Sequence, residues 1–254
     1  MMNSTNPLSV KQPTPDFVIQ SIPRNMEEDP NTGWYRQIFF FGPTSFLDEL
    51  CIHAGVLSAH VAPHPPHCHE HEEVHVSLSE TLEFVVCEAG SDIENARSID
   101  NGSVFFTDSS IPHSFRNAAS PPAAYLHFRW KNESKASRAG KEPLQFYYSP
   151  LDQNKICGHS VYNGIGIDEI YSGPSLYLSR LRAIFMRLQA GDVIPLHRHP
   201  HEVIFILVSG SIEILGRKLD APGFAFMGTQ MPHHIINKGP DSADLYAFEL
   251  HQEV

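Results

Sequence analysis

The sequence lacks the marks of several large protein classes. No apolar run reaches the ~20 residues that a membrane-spanning helix needs. The opening stretch MMNSTNPLSVKQPTPDF has no charged segment followed by an apolar one, so the expectation is a cytosolic (cytoplasmic) protein with no membrane partner. Basic tracts are missing too: 18 Lys and Arg stand against 29 Asp and Glu, a formal net charge of −11. A chain of that balance has no electrostatic grip on a phosphate backbone, so no nucleic acid partner is expected. Only four cysteines occur (Cys51, Cys68, Cys87, Cys157), none in C-x-x-C spacing. A disulfide framework and a thiolate-bound structural zinc are therefore not expected, and the thiols read as free. Finally, no stretch sustains helical periodicity.

What the chain does have is β-structure. With 41% apolar and 10% aromatic residues over 254 positions it can bury one large core or two smaller ones. The runs LEFVVCEAG, GSVFFTD and AAYLHFRW, and later EVIFILVSGSIEILG, GFAFMG and ADLYAFEL, are β-branched and aromatic segments between Gly, Pro, Asn and Asp turns. Many short strands at this spacing predict an all-β sandwich or barrel in each half.

The two halves repeat. At an offset of 130, residues 45–83 align with 175–213 without a gap: Ser45 meets Ser175, Pro65 meets Pro195, and Glu72 meets Glu202. Within that block His67, His69 and His71 meet His197, His199 and His201. Farther on, SIPHSFRN (110–117) answers QMPHHIIN (230–237), each with Pro-His and an Asn four residues beyond the His. A duplicated domain is the economical reading. The division is an N-terminal arm at 1–30, a first domain at 31–130, a linking segment at 131–171 and a second domain at 172–254. The Pro-rich arm is expected to pack on the other half or on another subunit, which makes a homodimer compatible with the sequence.

Histidine is concentrated where the halves match, in PHPPHCHEHEEVHV (63–76) and IPLHRHPHEVIF (194–205). Strand side chains alternate faces, so 67, 69, 71, 73 and 75 share one face, as do 197, 199, 201, 203 and 205. With a third His from a distant strand, His113 or His233, three nitrogens can surround a metal in each half.

These segments resemble the two motifs of the cupin superfamily, G-x5-H-x-H-x3-4-E-x6-G and G-x5-P-x-G-x2-H-x3-N. Gly191 lies six residues before His197, and PGFAFMGTQMPHHIIN carries the second motif. The resemblance spans roughly 45–130 and 172–250 and implies a bicupin, two tandem jelly-roll (double-stranded β-helix) barrels. It implies His67, His69, Glu73 and His113 as metal ligands in the first half, and His197, His199 and His233 in the second. There the carboxylate position is Val203. Glu202 is the candidate replacement, although its parity turns it outward unless a bulge rotates it, and His201 has the parity to substitute. The first half also has Ser79-Glu80 where the second has Ser209-Gly210, and it lacks the Pro-x-Gly of the second motif.

Imidazoles with one carboxylate leave open positions on a divalent ion: Fe(II) is the leading expectation, with Mn(II), Ni(II), Co(II) or Zn(II) compatible. The resemblance implies a metal-dependent dioxygenase or related oxidoreductase acting on a small-molecule substrate, in which Glu73 is ligand and base. A redox-neutral lyase, decarboxylase or isomerase is the second expectation, with Glu72 or His75 moving protons. A non-catalytic binding module is the third. Arg180, Arg182 and Arg187 are candidates to receive a substrate carboxylate, and Phe205, Phe185 and Phe106 to line an apolar pocket.

Overall fold

The computed structural model describes residues 14–23, 26–87, 94–133, 144–150, 158–162 and 164–252; Cys157 lies outside them. The described residues hold twenty strands and no α-helix. The first half contributes β1 (Phe17–Ser21), β2 (Trp34–Gly42), β3 (Glu49–Leu57), β4 (Glu72–Ser77), β5 (Leu82–Cys87), β6 (Glu94–Ile99), β7 (Val104–Thr107), β8 (His113–Asn117) and β9 (Ala123–Lys131). The segment read as a linker carries β10 (Gln145–Tyr148), β11 (Gly158–Tyr162) and β12 (Ile165–Gly173). The second half follows with β13 (Arg180–Leu188), β14 (Val193–His197), β15 (Glu202–Ser209), β16 (Ser211–Ile214), β17 (Arg217–Asp220), β18 (Gly223–Met227), β19 (His233–Ile236) and β20 (Ala243–His251).

These strands form two barrels, each of a large and a small sheet. Barrel 1 joins β10-β7-β4-β9-β3-β2 to β6-β5-β8, and barrel 2 joins β1-β18-β15-β20-β13-β12-β11 to β14-β19-β16-β17. The large sheets are buried on both faces, as their near-continuous buried runs show: every residue of β3, β4 and β18 is buried. Alternation along the strands then assigns the faces. Val74, Val76, Leu126, Phe128 and Trp130 of barrel 1 meet Ile204, Ile206, Phe226, Phe248 and Leu250 of barrel 2 in one continuous core between the sheets. Burying each of these side chains contributes roughly 1.5–3 kcal/mol. Residues of opposite parity, such as Val203, Phe205 and Ala247, point into barrel 2.

The halves also exchange elements. Strand β1, ahead of barrel 1, pairs antiparallel with β18 of barrel 2, Phe17 opposite Met227 through Ser21 opposite Gly223. Reciprocally β10, ahead of barrel 2, pairs with β7 of barrel 1. Each leading strand thus covers an edge of the other half's sheet, a position where unpaired N–H and C=O groups would otherwise be exposed. Two glutamates are exchanged in the same sense. Glu72 accepts hydrogen bonds from Ser175 Oγ (2.8 Å), Leu176 N (2.6 Å) and Trp130 Nε1 (3.0 Å), while Glu202 accepts from Thr44 Oγ1 (2.7 Å) and Phe46 N (3.2 Å).

At the turn between β15 and β16, Gly210 has φ +78°, and a Cβ there would lie 2.6 Å from the Ser242 carbonyl oxygen. That close approach explains the glycine of the second half.

Candidate metal centres

In both barrels the short loop before β4 or β15 carries H-x-H, and β8 or β19 returns the third histidine beside it. His67 and His113 form a β-bridge in barrel 1, and His197 and His233 are register partners in barrel 2. Four of these rings are held alike. Nδ1 of His67 meets the Pro65 carbonyl at 3.2 Å, and that of His197 meets Pro195 at 2.7 Å. Nδ1 of His113 meets Ile111 at 2.8 Å, and that of His233 meets Met231 at 2.9 Å. A carbonyl only accepts, so each Nδ1 carries the proton and each Nε2 presents its lone pair. Holding the far nitrogen in this way is how proteins orient metal-binding imidazoles.

In barrel 1 the nitrogens converge on Glu73, which is 1% exposed. Its Oε2 lies 2.9 Å from His69 Nε2, 2.8 Å from His113 Nε2, 3.3 Å from His75 Nε2 and 3.2 Å from His127 Nε2. One carboxylate oxygen has about two lone-pair directions. Hydrogen bonding alone does not satisfy four nitrogens there, and His75 Nε2, His127 Nε2 and Glu73 Oε1 are buried without a hydrogen-bond partner. Burial alone would raise the Glu73 carboxyl; the imidazoles of His127, His113 and His69 outweigh it and hold it well below the usual carboxylate range. Burial pushes His75 down to about 3 and lowers His127, leaving both rings neutral. A buried carboxylate ringed by imidazoles fits a divalent cation, and His69, Glu73 and His113 form one compact donor group. His67 is exposed and outside that group, although it lines the same cavity.

Barrel 2 brings His197, His199 and His233 together, with Nε2 of His197 and His199 3.0 Å apart. Burial lowers His199 and takes His233 down to about 4. His233 Nε2 is buried and unpaired. The donor atoms of the three rings converge on one point.

The barrels differ inside. Across the barrel 1 sheet, His53, His127 and His75 are register partners on β3, β9 and β4. His127 Nδ1 lies 3.1 Å from His53 Nε2, and the cavity is about 70 Å³, lined also by Arg36 and Arg129. The same row in barrel 2 is Ile184, Ala247 and Phe205. Its cavity is about 160 Å³, mostly apolar, and reaches His197, His199, Arg182 and Glu249.

Several sequence expectations need correction. Glu202 is no metal ligand: its parity turns it away from the histidines into the contact with Thr44 and Phe46, and no bulge rotates it. Glu72, a candidate acid/base, faces the same interbarrel layer and is fully buried there. Phe185 and Phe106 belong to the core between the barrels, while Phe205 does line the barrel 2 cavity. Among the arginines only Arg182 reaches that cavity; Arg187 pairs with Asp244 at 2.6 Å and Arg180 with Ser172 at 3.0 Å. His75 stays beside Glu73. The sequence reading missed His53, His127 and Glu249. His53 and His127 lie at inward parity on their strands, whereas Glu249 shares its strand with Asp244 and His251 and carries no local signal.

Two-sheet antiparallel barrels with an H-x-H loop and a returning third histidine at one mouth define the cupin fold, and the chain adopts it twice. Solved structures agree. The putative glyoxylate-induced protein from Pseudomonas aeruginosa superposes with TM-score 0.70 at 13% identity, covering 98% of this chain and 94% of that one. An oxalate decarboxylase of Bacillus subtilis gives TM-score 0.62 at 12% identity over 96% and 79%. A salicylate 1,2-dioxygenase from Pseudaminobacter salicylatoxidans gives 0.59 at 14% over 79% and 70%. At these identities the likeness concerns the fold. No family model and no curated protein sequence matches the chain.

Proposed function

We propose that the chain is a metal-dependent bicupin enzyme, an Fe(II)- or Mn(II)-type oxidoreductase of the dioxygenase kind that acts on a small organic substrate in barrel 2. One observation carries the reading: the ring nitrogens of His197, His199 and His233 converge at the mouth of an apolar cavity of about 160 Å³. Three imidazole donors leave open positions on a divalent ion, where a chelating small molecule can bind. A redox-active ion held there would supply Lewis acidity and electron exchange between substrate and dioxygen.

The residues of the chain do the rest. Ile184, Met186, Phe205 and Ile235 wall the cavity and exclude water. Arg182 lines the cavity, paired with Glu249 at 3.0 Å and Glu169 at 2.7 Å. In barrel 1 the three-histidine row and two arginines leave about 70 Å³, room for an ion with a few small ligands but not for an aromatic ring.

That polar interior supports a second reading, a redox-neutral decarboxylase or lyase in barrel 1. His75 and His127 stand beside Glu73 as neutral rings facing the space a small oxoanion would enter. Elemental analysis of chelator-free protein, followed by O2 uptake with a panel of small carboxylates, phenols and diketones, separates the two. Iron or manganese with O2 uptake that His199→Ala abolishes supports the oxidoreductase. Turnover of a carboxylate without O2 uptake, lost in His113→Ala but not in His199→Ala, replaces it with the second reading.

A further inference from the structure

The carboxylate missing from the second histidine motif is present in barrel 2 on another strand. Position 203, where barrel 1 has Glu73, is Val203, whose register partner on the neighbouring strand β20 is Glu249. Directly paired residues on adjacent strands share a face, so Glu249 enters the barrel beside the vacated position. It is 8% exposed, lines the cavity with His197 and His199, and forms a compact donor group with His199 and His201. We propose that Glu249 is the carboxylate ligand of the barrel 2 metal centre, joined to the His197, His199 and His233 group through His199, the donor that the two groups share.

The arrangement around it matches barrel 1, shifted by one strand. In barrel 1, Glu73 on β4 is register partner of Arg129 on β9, with Arg129 Nη1 4.0 Å from Oε1, so that Oε2 is left to the histidines. In barrel 2, Glu249 on β20 is register partner of Arg182 on β13, with Arg182 Nη1 3.0 Å from Oε1, and Oε2 lies 3.6 Å from His201 Nε2 and 3.1 Å from His251 Nε2. In both cases an arginine faces one carboxylate oxygen, hydrogen-bonded only in barrel 2, and the other oxygen faces imidazoles. Arg182 is itself held by Glu169 at 2.7 Å, so its charge is shared and does not neutralise Glu249 alone. Both ring nitrogens of His201 are buried without a hydrogen-bond partner, an unpaired polar group aimed at Glu249 from the loop that carries His199. Such a group is costly unless an ion or a solvent molecule completes it.

This inference rests on the metal reading of barrel 2, and its test separates the two. The full-length chain carrying His69→Ala and His113→Ala, which disable barrel 1, is titrated with Co(II) and followed by calorimetry and visible absorption. The parent is expected to bind one Co(II). Adding Glu249→Gln is expected to weaken binding by at least about 10- to 100-fold and to change the visible spectrum. Adding Arg182→Gln breaks the same ion pair but keeps the carboxylate, so Co(II) affinity within about tenfold of the parent is expected. Moving the carboxylate across the strand pair, Val203→Glu with Glu249→Val, is expected to restore binding and a parent-like spectrum. Glu249→Gln that binds like the parent, or a loss equalled by Arg182→Gln, overturns the assignment and leaves Glu249 as the partner of Arg182. A parent that binds no Co(II), or one in which His199→Ala changes nothing, overturns the metal reading of barrel 2 itself.

Discussion

The Ser175 hydroxyl donates to the Glu72 carboxylate at 2.8 Å across 103 positions of chain, tying the second barrel to the first. Its mirror is Thr44 donating to Glu202 at 2.7 Å. Burial pushes the carboxyls of Glu72 and Glu202 up, their hydroxyl and N–H donors pull them back, and both settle at about 7. In the unfolded chain each titrates near 4.5. A raised folded value means that the native state binds more protons between these limits. Its contribution is therefore full below pH ~4.5 and is lost as pH rises through ~7. Each shift corresponds to roughly 3 kcal/mol at most. The double variant Glu72→Gln, Glu202→Gln should show a flatter dependence of unfolding free energy on pH between 5 and 7.5 than the wild type, read by urea denaturation at several pH values. Parallel curves for the two proteins would mean that neither carboxyl titrates in that window.

The asparagine that ends each second motif should be structural. Asn117 Nδ2 donates to the carbonyls of Ser58 (3.1 Å) and Pro121 (2.7 Å), and its Oδ1 accepts from Ala119 N; Asn237 bonds Leu188 O (3.0 Å), Asp241 O (2.8 Å) and Gly239 N in the same pattern. Replacing either by Leu leaves buried carbonyls unpaired. A loss of about 2–4 kcal/mol per site is expected in denaturant unfolding, with metal content unchanged.

Much of this was readable in the sequence. Parity along EEVHV and EVIFI put Glu73 and Val203 inward and Glu72 and Glu202 outward, and the offset of 130 paired the histidines correctly. That the arm packs on the other half was one of the two expectations for it; that β10, inside the segment read as a linker, pairs with β7 was not readable, because a strand's partner is set by tertiary contact. Nor was Glu249: nothing local distinguishes a functional carboxylate in ADLYAFELH from a strand-end charge until the register places it opposite Val203.

The exchanged strand gives a stability test. Deletion through Ser21 removes β1 from β18, leaves the edge of β18 unpaired and uncovers Val18 and Ile19 packing surface. Thermal unfolding should shift down by several degrees, and size-exclusion chromatography should show self-association through the bared edge. A monomer of unchanged melting temperature would show that β1 contributes little.

The two metal centres should be separable by mutation, because each barrel supplies its own histidines. His113 is 3% exposed and its Nε2 points at Glu73, while His67 is exposed and stands outside the compact group. His113→Ala should therefore cost barrel 1 its ion, whereas His67→Ala should weaken retention by a smaller factor, about tenfold. His233→Ala should remove only the barrel 2 ion. Inductively coupled plasma analysis after dialysis against a weak chelator reads all three: about two ions per chain in the wild type, about one in His113→Ala and His233→Ala, and an intermediate value in His67→Ala. If His113→Ala and His233→Ala each lost both ions, the barrels would be coupled through the layer that holds Glu72 and Glu202, and loss of one centre would be felt in the other through the packed sheets.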